Sequence, residues 1–387
     1  MTRVGLVVNP VAGLGGRVGL GGTDGPDRAR TALSLGARPL AGARAAAALG
    51  ELAARAGEPD RDGLLVVTAA GRLGADSVAA TGLTERIVYA AGAGRDTSAA
   101  DTAAAVRAVV AEGVDLLLFA GGDGTARDVF GALGSPGSPG VVPCPVLGVP
   151  TGVKMHSAVF AVSPRAAGEV AAAWLARTGG VRLRDAEVMD RDEDALGEGR
   201  VTSRLFGWLP VPDVPVRVQQ RKTGSTAASP GAVGGIAAEV AERVGEGLLV
   251  LGPGGTTRAV AAALGADVSL TGVDALALRP GHPPRIVARD AGEDTLLALG
   301  PAWIALSPIG GQGFLLGRGN QQISPRVLRA AGGRERLLVL CTETKLAALG
   351  GRPLLLDTGD DALDAELSGH LPVITGRRRT SLYRLAM

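Results

Sequence analysis

The sequence predicts an α/β protein: a parallel-sheet N-terminal domain, then a second α/β domain carrying a small β insertion. Three observations predict it. Short apolar runs alternate with Ala- and Leu-rich segments along most of the 387 residues, as strands and crossover helices do in a sheet covered on both faces. Glycine-rich stretches follow several of the apolar runs, where ligand loops sit in such sheets. The alternation lapses between about 181 and 225 and then returns. The expected domains are 1–155 and 156–387, with the β-rich insertion at the start of the second. Both are of ordinary domain size.

Composition narrows the function classes. Forty basic and 38 acidic residues leave a net charge of +2, so no broad charge favours nucleic acid or a membrane surface. Hydrophobic residues make up 46% and aromatic residues 3%: enough for a large core, too few rings for a surface that stacks single-stranded nucleic acid. Cys144 and Cys341 are the only cysteines, which fits a reducing compartment rather than a disulfide framework. The opening Met-Thr-Arg-Val-Gly-Leu-Val-Val lacks a signal-peptide layout, and no apolar run reaches membrane-span length. A cytoplasmic, soluble homo-oligomer is the expectation, with neither nucleic acid nor membrane as partner.

Taken in order, Arg3 to Val8 reads as the first strand, with Asn9 at its tip before Pro10. Val11 to Gly25 is too glycine-dense for regular structure and lacks the closing Gly-Lys-Ser/Thr of a Walker A loop. A flexible linker is the competing reading. Ala41 to Ala56 is expected to be helical, and Leu64 to Thr68 and Ile87 to Tyr89 to be strands. Ser98 and Asp101 have capping-box spacing for a helix that Gly113 ends. Val114 to Ala120 reads as a strand buried on both faces, and Val146 to Val149 as another, ending in Pro150-Thr151-Gly152-Val153-Lys154-Met155-His156 and running straight into a helix. Asn9, Asp123 and Thr151 all follow strand ends, so three distant segments are expected to converge on one crevice.

Beyond them, Val181 to Met189, Val201 to Leu209 and Val214 to Gln220 look like strands broken by Pro210, Pro212 and Pro215, with a polar turn or ligand loop at Lys222 to Thr226. A helix from Ala232 to Val244 and a strand at Leu248 to Leu251 restart the alternation. Strands are expected at Ala302 to Ser307, Leu337 to Cys341 and Leu354 to Asp357, with a helix start at Ser324-Pro325 and a closing hairpin over Val373 to Leu385.

The stretch that carries chemistry is Gly121-Gly122-Asp123-Gly124-Thr125. A glycine loop feeding a helix offers free N–H groups and a positive dipole end, which suits phosphate. Thr125 and Asp128 have capping-box spacing for that helix. A carboxylate in such a loop repels phosphate unless it holds a metal ion or takes a proton from an attacking hydroxyl, so Asp123 points to phosphoryl transfer. Capping of its own loop is the alternative. Gly252 to Gly265 repeats this stretch in register, with Gly254 where Asp123 stands. Gly254, Gly255, Thr256 and Thr257 are thus expected to form a second ligand-facing loop without the carboxylate. Arg127 and Arg258 share a repeat position, where a phosphate contact competes with surface ion pairing. Lys154 is a candidate to neutralise a transferring phosphate and His156 to assist proton transfer, each against an ordinary structural role.

These pieces resemble a known superfamily. Asn9-Pro10-Val11-Ala12-Gly13 after a first strand, followed by Gly-Gly-Asp-Gly-Thr, looks like the NAD kinase, diacylglycerol/sphingosine kinase and phosphofructokinase superfamily. Val146-Leu-Gly-Val-Pro-Thr-Gly152 and the whole chain look most like its ATP-NAD kinase/AcoX-like branch. The resemblance implies ATP and Mg²⁺ as donor system and NAD as leading acceptor. Asp123 would be the base, with Mg²⁺ as a tentative partner. Gly121, Gly122, Gly124 and Thr125 would cradle phosphates, and Asn9, Gly13, Arg127, Thr151, Gly152 and Lys154 would complete the nucleotide site. The Asn-Glu or Asn-Asp pair by which NAD kinases read the acceptor is not found downstream. A nucleotide-binding regulatory protein of the AcoX type, or a kinase for a small hydroxy-ketone or diol, are the alternative functions.

Overall fold

The computed structural model describes residues 2–20, 26–92, 97–134, 144–152, 155–177, 180–191, 203–214, 218 and 230–387. Lys154, the Lys222 to Thr226 loop and most of the expected strand at 214–220 lie outside them. The chain divides into two compact units: Met1–Leu14, Thr23–Ala29 and Arg38–Arg221 in the first, Gly15–Gly22, Arg30–Ala37 and Lys222–Met387 in the second.

β1 (Thr2–Val8) opens the chain, and α1 (Pro26–Ser34) follows the glycine-dense turn. The first unit continues with α2 (Ala41–Asp62), β2 (Leu64–Ala69), α3 (Ala75–Ala79), β3 (Thr84–Tyr89), α4 (Ala99–Ala111), β4 (Leu116–Gly121), α5 (Asp123–Leu133) and β5 (Val146–Pro150). The five strands pair in the order β3-β2-β1-β4-β5, and every pairing is parallel. β4 is buried along its whole length, as an unbroken apolar run in the middle of a doubly covered sheet requires. β3 is mostly exposed and carries Glu85 and Arg86, charges that suit a sheet edge. α4 starts on the expected capping box of Ser98 and Asp101. Gly113 ends it with a φ of 69°.

Two local expectations fail. α5 begins at Asp123 behind Gly122, not at Thr125: the glycines let the helix start immediately, and the Thr125 hydroxyl goes elsewhere. The segment after Gly152 does not enter a helix. Phe160 forms a bridge to Gly148 of β5, and α6 (Pro164–Leu175) starts only after Ser163, whose hydroxyl caps it by accepting from Ala166 N–H at 3.1 Å. Phe160 is held there by burial and by an edge-to-face contact with Phe119 of β4, centroids 5.3 Å apart.

The expected domain break after residue 155 also moves. α6 packs on α2 so closely that a Cβ at Gly168 would lie 2.4 Å from the Ala48 carbonyl oxygen. β6 (Arg182–Arg191) and β7 (Ser203–Asp213) form an antiparallel ribbon, and the Arg127–Asp190 pair ties β6 to α5. The β insertion therefore belongs with the first unit, which runs to Arg221. Pro210 and Pro212 do not break β7: two residues apart, they face the same side, and in a two-stranded ribbon that is the unpaired edge.

The second unit holds α7 (Pro230–Val244), β8 (Gly247–Leu251), α8 (Gly255–Leu264), β9 (Asp274–Leu278), β10 (Arg285–Ala288), α9 (Glu293–Ala298), β11 (Trp303–Leu306), α10 (Pro325–Ala331), β12 (Leu337–Leu340), α11 (Glu343–Ala347), β13 (Leu354–Leu355), α12 (Asp361–Leu367), β14 (Gly369–Gly376) and β15 (Arg379–Ala386). Its sheet runs β10-β9-β8-β11-β12-β14-β15-β13. β8, β11, β12 and β14 form a parallel centre, flanked by antiparallel β9 and β15. α7 and α8 cover one face through Ile236, Val240 and Val260. Leu296, Leu328 and Leu363 of α9, α10 and α12 lie in the core of the other. β14 and β15 are the expected closing hairpin.

Candidate active site

Strand order locates the site in the first unit. The chain runs outward from β1 through β2 to β3, then returns to place β4 and β5 on the other side of β1. Helical connections therefore leave β1 and β4 on opposite faces, and a crevice opens at their carboxyl ends. Asn9 stands at the tip of β1, Gly121 to Asp123 at the tip of β4, and Thr151 at the tip of β5.

Hydrogen bonds draw these tips together. Asn9 N–H donates to the Ala120 carbonyl at 2.9 Å, and the Thr151 and Gly152 N–H groups donate to the Gly121 carbonyl at 2.9 and 3.2 Å. Asn9 Nδ2 donates to Thr125 Oγ1 at 2.9 Å, while its Oδ1 accepts from Val11 N–H at 3.2 Å. Gly13 turns with a φ of 79°, and a Cβ there would lie 2.0 Å from the Thr151 carbonyl oxygen. Of the sequence-derived set, Asn9, Gly13, Gly121, Gly122, Asp123, Thr125, Thr151 and Gly152 thus share one locus. Gly124 lies in the first turn of α5, where N–H groups have no acceptor within the helix.

Asp123 is 6% exposed. Its Oδ2 accepts from His156 N–H at 2.7 Å and its Oδ1 from Ser157 N–H at 3.0 Å. His156 Nδ1 lies 3.7 Å from Oδ2. Burial pushes the carboxyl up to about 7, against the pull of the Ser157 and His156 hydrogen bonds and with a further push from the Asp190 charge. The result is a fixed carboxyl group able to exchange a proton near neutrality. Thr151 Oγ1, at the tip of β5, is buried with no partner among the described residues, an open hydrogen-bonding position.

Arg127 is held in an ion pair. Its Nη1 is 3.0 Å from Asp190 Oδ2, and its guanidinium carbon lies 5.8 Å from the centre of the Phe206 ring. A third glycine-rich loop lies at 308–322 and turns inward: Arg318, Asn320 and Gln322 are buried, and Asn320 bonds to the Gly317 N–H and the Leu315 carbonyl.

Two features escaped sequence reasoning. Arg44 of α2 donates to the Pro150 carbonyl at 2.5 Å, bracing the tip of β5. A cleft of about 270 Å³, lined by Pro10, Val11, Gly71, Arg72 and Thr97 among others, opens past the ends of β1, β2 and β3. Its signal was the Ala-Gly-Arg turn directly after the β2 run.

The family model for the ATP-NAD kinase N-terminal domain matches residues 4–178. The model for the ATP-NAD kinase C-terminal domain matches residues 232–385. No curated protein and no solved structure matches the chain. The first match spans every residue gathered at the crevice, and the second covers nearly all of the second unit, in the order the family requires. The chain belongs to the ATP-NAD kinase family.

Proposed function

We propose that the protein transfers the γ-phosphoryl group of ATP to a hydroxyl of NAD, with Asp123 as general base. The observation that carries this reading is the buried Asp123 carboxyl, oriented by two backbone N–H groups at the switch point of the sheet. The acceptor oxygen attacks the γ-phosphorus, and the bond from that phosphorus to the β,γ-bridging oxygen breaks. The acceptor proton passes to a carboxylate oxygen of Asp123, giving NADP and ADP. The N–H groups of Gly124 and Thr125, with the α5 dipole, stabilise the charge on the phosphoryl oxygens. The Asn9–Thr125 bond holds that turn in place. Thr151 Oγ1 is free to bond the acceptor, and the cleft beside Arg72 is where the donor nucleotide is accommodated.

Among the described residues no three His, Cys, Asp or Glu side chains gather to hold a metal. Both oxygens of Asp123 already accept N–H groups. A resident metal site does not fit these residues, so Mg²⁺ enters as part of the MgATP substrate, held mainly by phosphate oxygens and water. This assigns Asp123 to the proton rather than the cation.

The experiment is incubation of the purified chain with ATP, Mg²⁺ and NAD, with NADP and ADP measured, alongside Asp123→Asn. The expected loss in the variant is about 10²- to 10⁴-fold in kcat, the usual contribution of a general base. Turnover of a diol or hydroxy-ketone in place of NAD would move the acceptor and keep the chemistry. Binding of NAD or ATP without turnover of any acceptor would overturn the kinase reading in favour of a regulatory one, the reading that the missing acceptor-recognition pair favours.

A further inference from the structure

The second unit repeats the strand, glycine loop and helix of the first, and adds a half-buried cation. β8 ends at Leu251, and Gly252-Pro253-Gly254 leads into α8, a ten-residue helix. A Cβ on Gly255 would meet nothing within 4 Å, so the first turn of α8 is open to an approaching group. β11 and β12 lie parallel beside β8, and their carboxyl ends bring Ser307 and Cys341 to the same edge. Lys345, one turn into α11, reaches back over this edge. Its Nζ donates to Ser307 Oγ at 2.9 Å and to Thr256 Oγ1 at 3.3 Å.

No carboxylate neutralises this ammonium among the described residues. The nearest acid on its own helix, Glu343, is engaged by Arg379 at 2.7 Å. Burial holds the lysine below its usual range, against a smaller opposing effect of Cys341. Burial likewise pushes the Cys341 thiol up to about 11, so it is neutral at physiological pH and supplies no counter-charge. A half-buried ammonium whose described partners are two hydroxyls gains from an anion placed beside it. In the first copy of the motif the loop carries Asp123; here Gly254 takes that place, and the loop has lost the charge that would repel an anion.

We propose that Thr256, Ser307, Lys345 and the first-turn N–H groups of α8 form a second phosphoryl-binding site, carried by the second unit and without a catalytic base. It binds a phosphoryl group without transferring it. The same chemistry is presented by free phosphate, pyrophosphate and the phosphates of a nucleotide.

The chain contains three lysines, Lys154, Lys222 and Lys345, so a carbon NMR spectrum of protein labelled at lysine Cε resolves them, with Lys345→Met assigning the signal. Titration of the full chain with inorganic phosphate, pyrophosphate and ATP is expected to move the Lys345 signal. Adenosine is the control and leaves it in place. Response to inorganic phosphate identifies a free anion as sufficient, and response to ATP alone identifies the nucleotide as the source. Thr256→Val is expected to weaken the response about tenfold, the loss of one hydrogen bond to a charged group. Asp123→Asn leaves the response unchanged, which separates this site from the kinase chemistry. Lys345→Met provides a second readout: it keeps its melting temperature in anion-free buffer and loses the stabilisation that phosphate gives through this site. A Lys345 signal that none of the three anions moves would overturn the proposal. So would a Lys345→Met variant that melts lower without anion yet responds to phosphate as the wild type does, since that is the behaviour of a purely structural brace.

Discussion

The Asn9 side chain donates from Nδ2 to Thr125 Oγ1 at 2.9 Å, joining residues 116 apart in sequence. The bond closes the tip of β1 onto the first turn of α5 and explains why Thr125 does not cap the helix it was expected to start. Asn9→Ala and Thr125→Val are each expected to cost about 1 kcal/mol of stability, with a coupling of similar size in the double variant. Urea denaturation of the four proteins measures it. Additive losses would show that the two side chains act independently.

Asp123 titrates near 7 in the folded protein because it is buried. Its value in an unfolded chain is close to that of an ordinary aspartate. Between about pH 4 and 7 the folded state therefore binds more protons than the unfolded one, and stability falls as pH rises through that window. The difference between the two values corresponds to a loss on the order of 4 kcal/mol. Asp123→Asn removes this slope, although the amide cannot accept both N–H groups and is less stable at low pH. Activity has the opposite trend: kcat/KM rises through about pH 7 as the base ionises. Denaturation and rate profiles from pH 4 to 9 on both proteins check the pair of trends.

Gly13 combines a positive φ with a close approach to the Thr151 carbonyl. Gly13→Ala is expected to cost about 2 kcal/mol or more and to lower activity by displacing the Asn9 turn. Gly50 lies inside α2 with nothing within 4 Å of an added Cβ. Gly50→Ala is therefore expected to stabilise by about 0.5–1 kcal/mol with activity intact. Thermal melts of the two variants carry opposite signs if the local geometry is right.

Arg127 is tied to Asp190 with 42% of its side chain exposed. An exposed pair contributes little, so Arg127→Ala is expected to cost under about 1 kcal/mol and to leave ATP affinity within about threefold. A tenfold or greater loss of affinity by calorimetry would restore the phosphate contact considered from the sequence.

Arg318 and Asp357 form a pair at 2.5 Å with side chains 3% and 4% exposed. Arg318 also stacks over Phe314, 4.6 Å from the ring centre. Arg318→Met alone is expected to cost about 3–5 kcal/mol by stranding the Asp357 charge, and Arg318→Met with Asp357→Leu to recover most of it. Equilibrium unfolding of the single and double variants distinguishes an isolated charge from lost packing.

Periodicity and glycine placement determined the α/β class, the parallel strands that end at Asn9, Asp123 and Thr151, and the loop chemistry around Asp123, because each depends on a short window of residues. Capping at Ser98, Ser163 and Ser324 is local in the same way, though only Ser98 and Ser324 were read in advance. Tertiary structure alone decided what depends on distant partners. The helix start at Asp123 follows from the strand that precedes it and from Asn9, which takes the Thr125 hydroxyl. The allegiance of residues 156–221 follows from α6 packing on α2. The pairing of Arg127 with Asp190, the inward turn of the third glycine loop and the meeting of Lys345 with Thr256 and Ser307 each join residues far apart in the chain. Such contacts leave no periodic trace in sequence, since burial and hydrogen-bond satisfaction are properties of the packed chain rather than of any one segment.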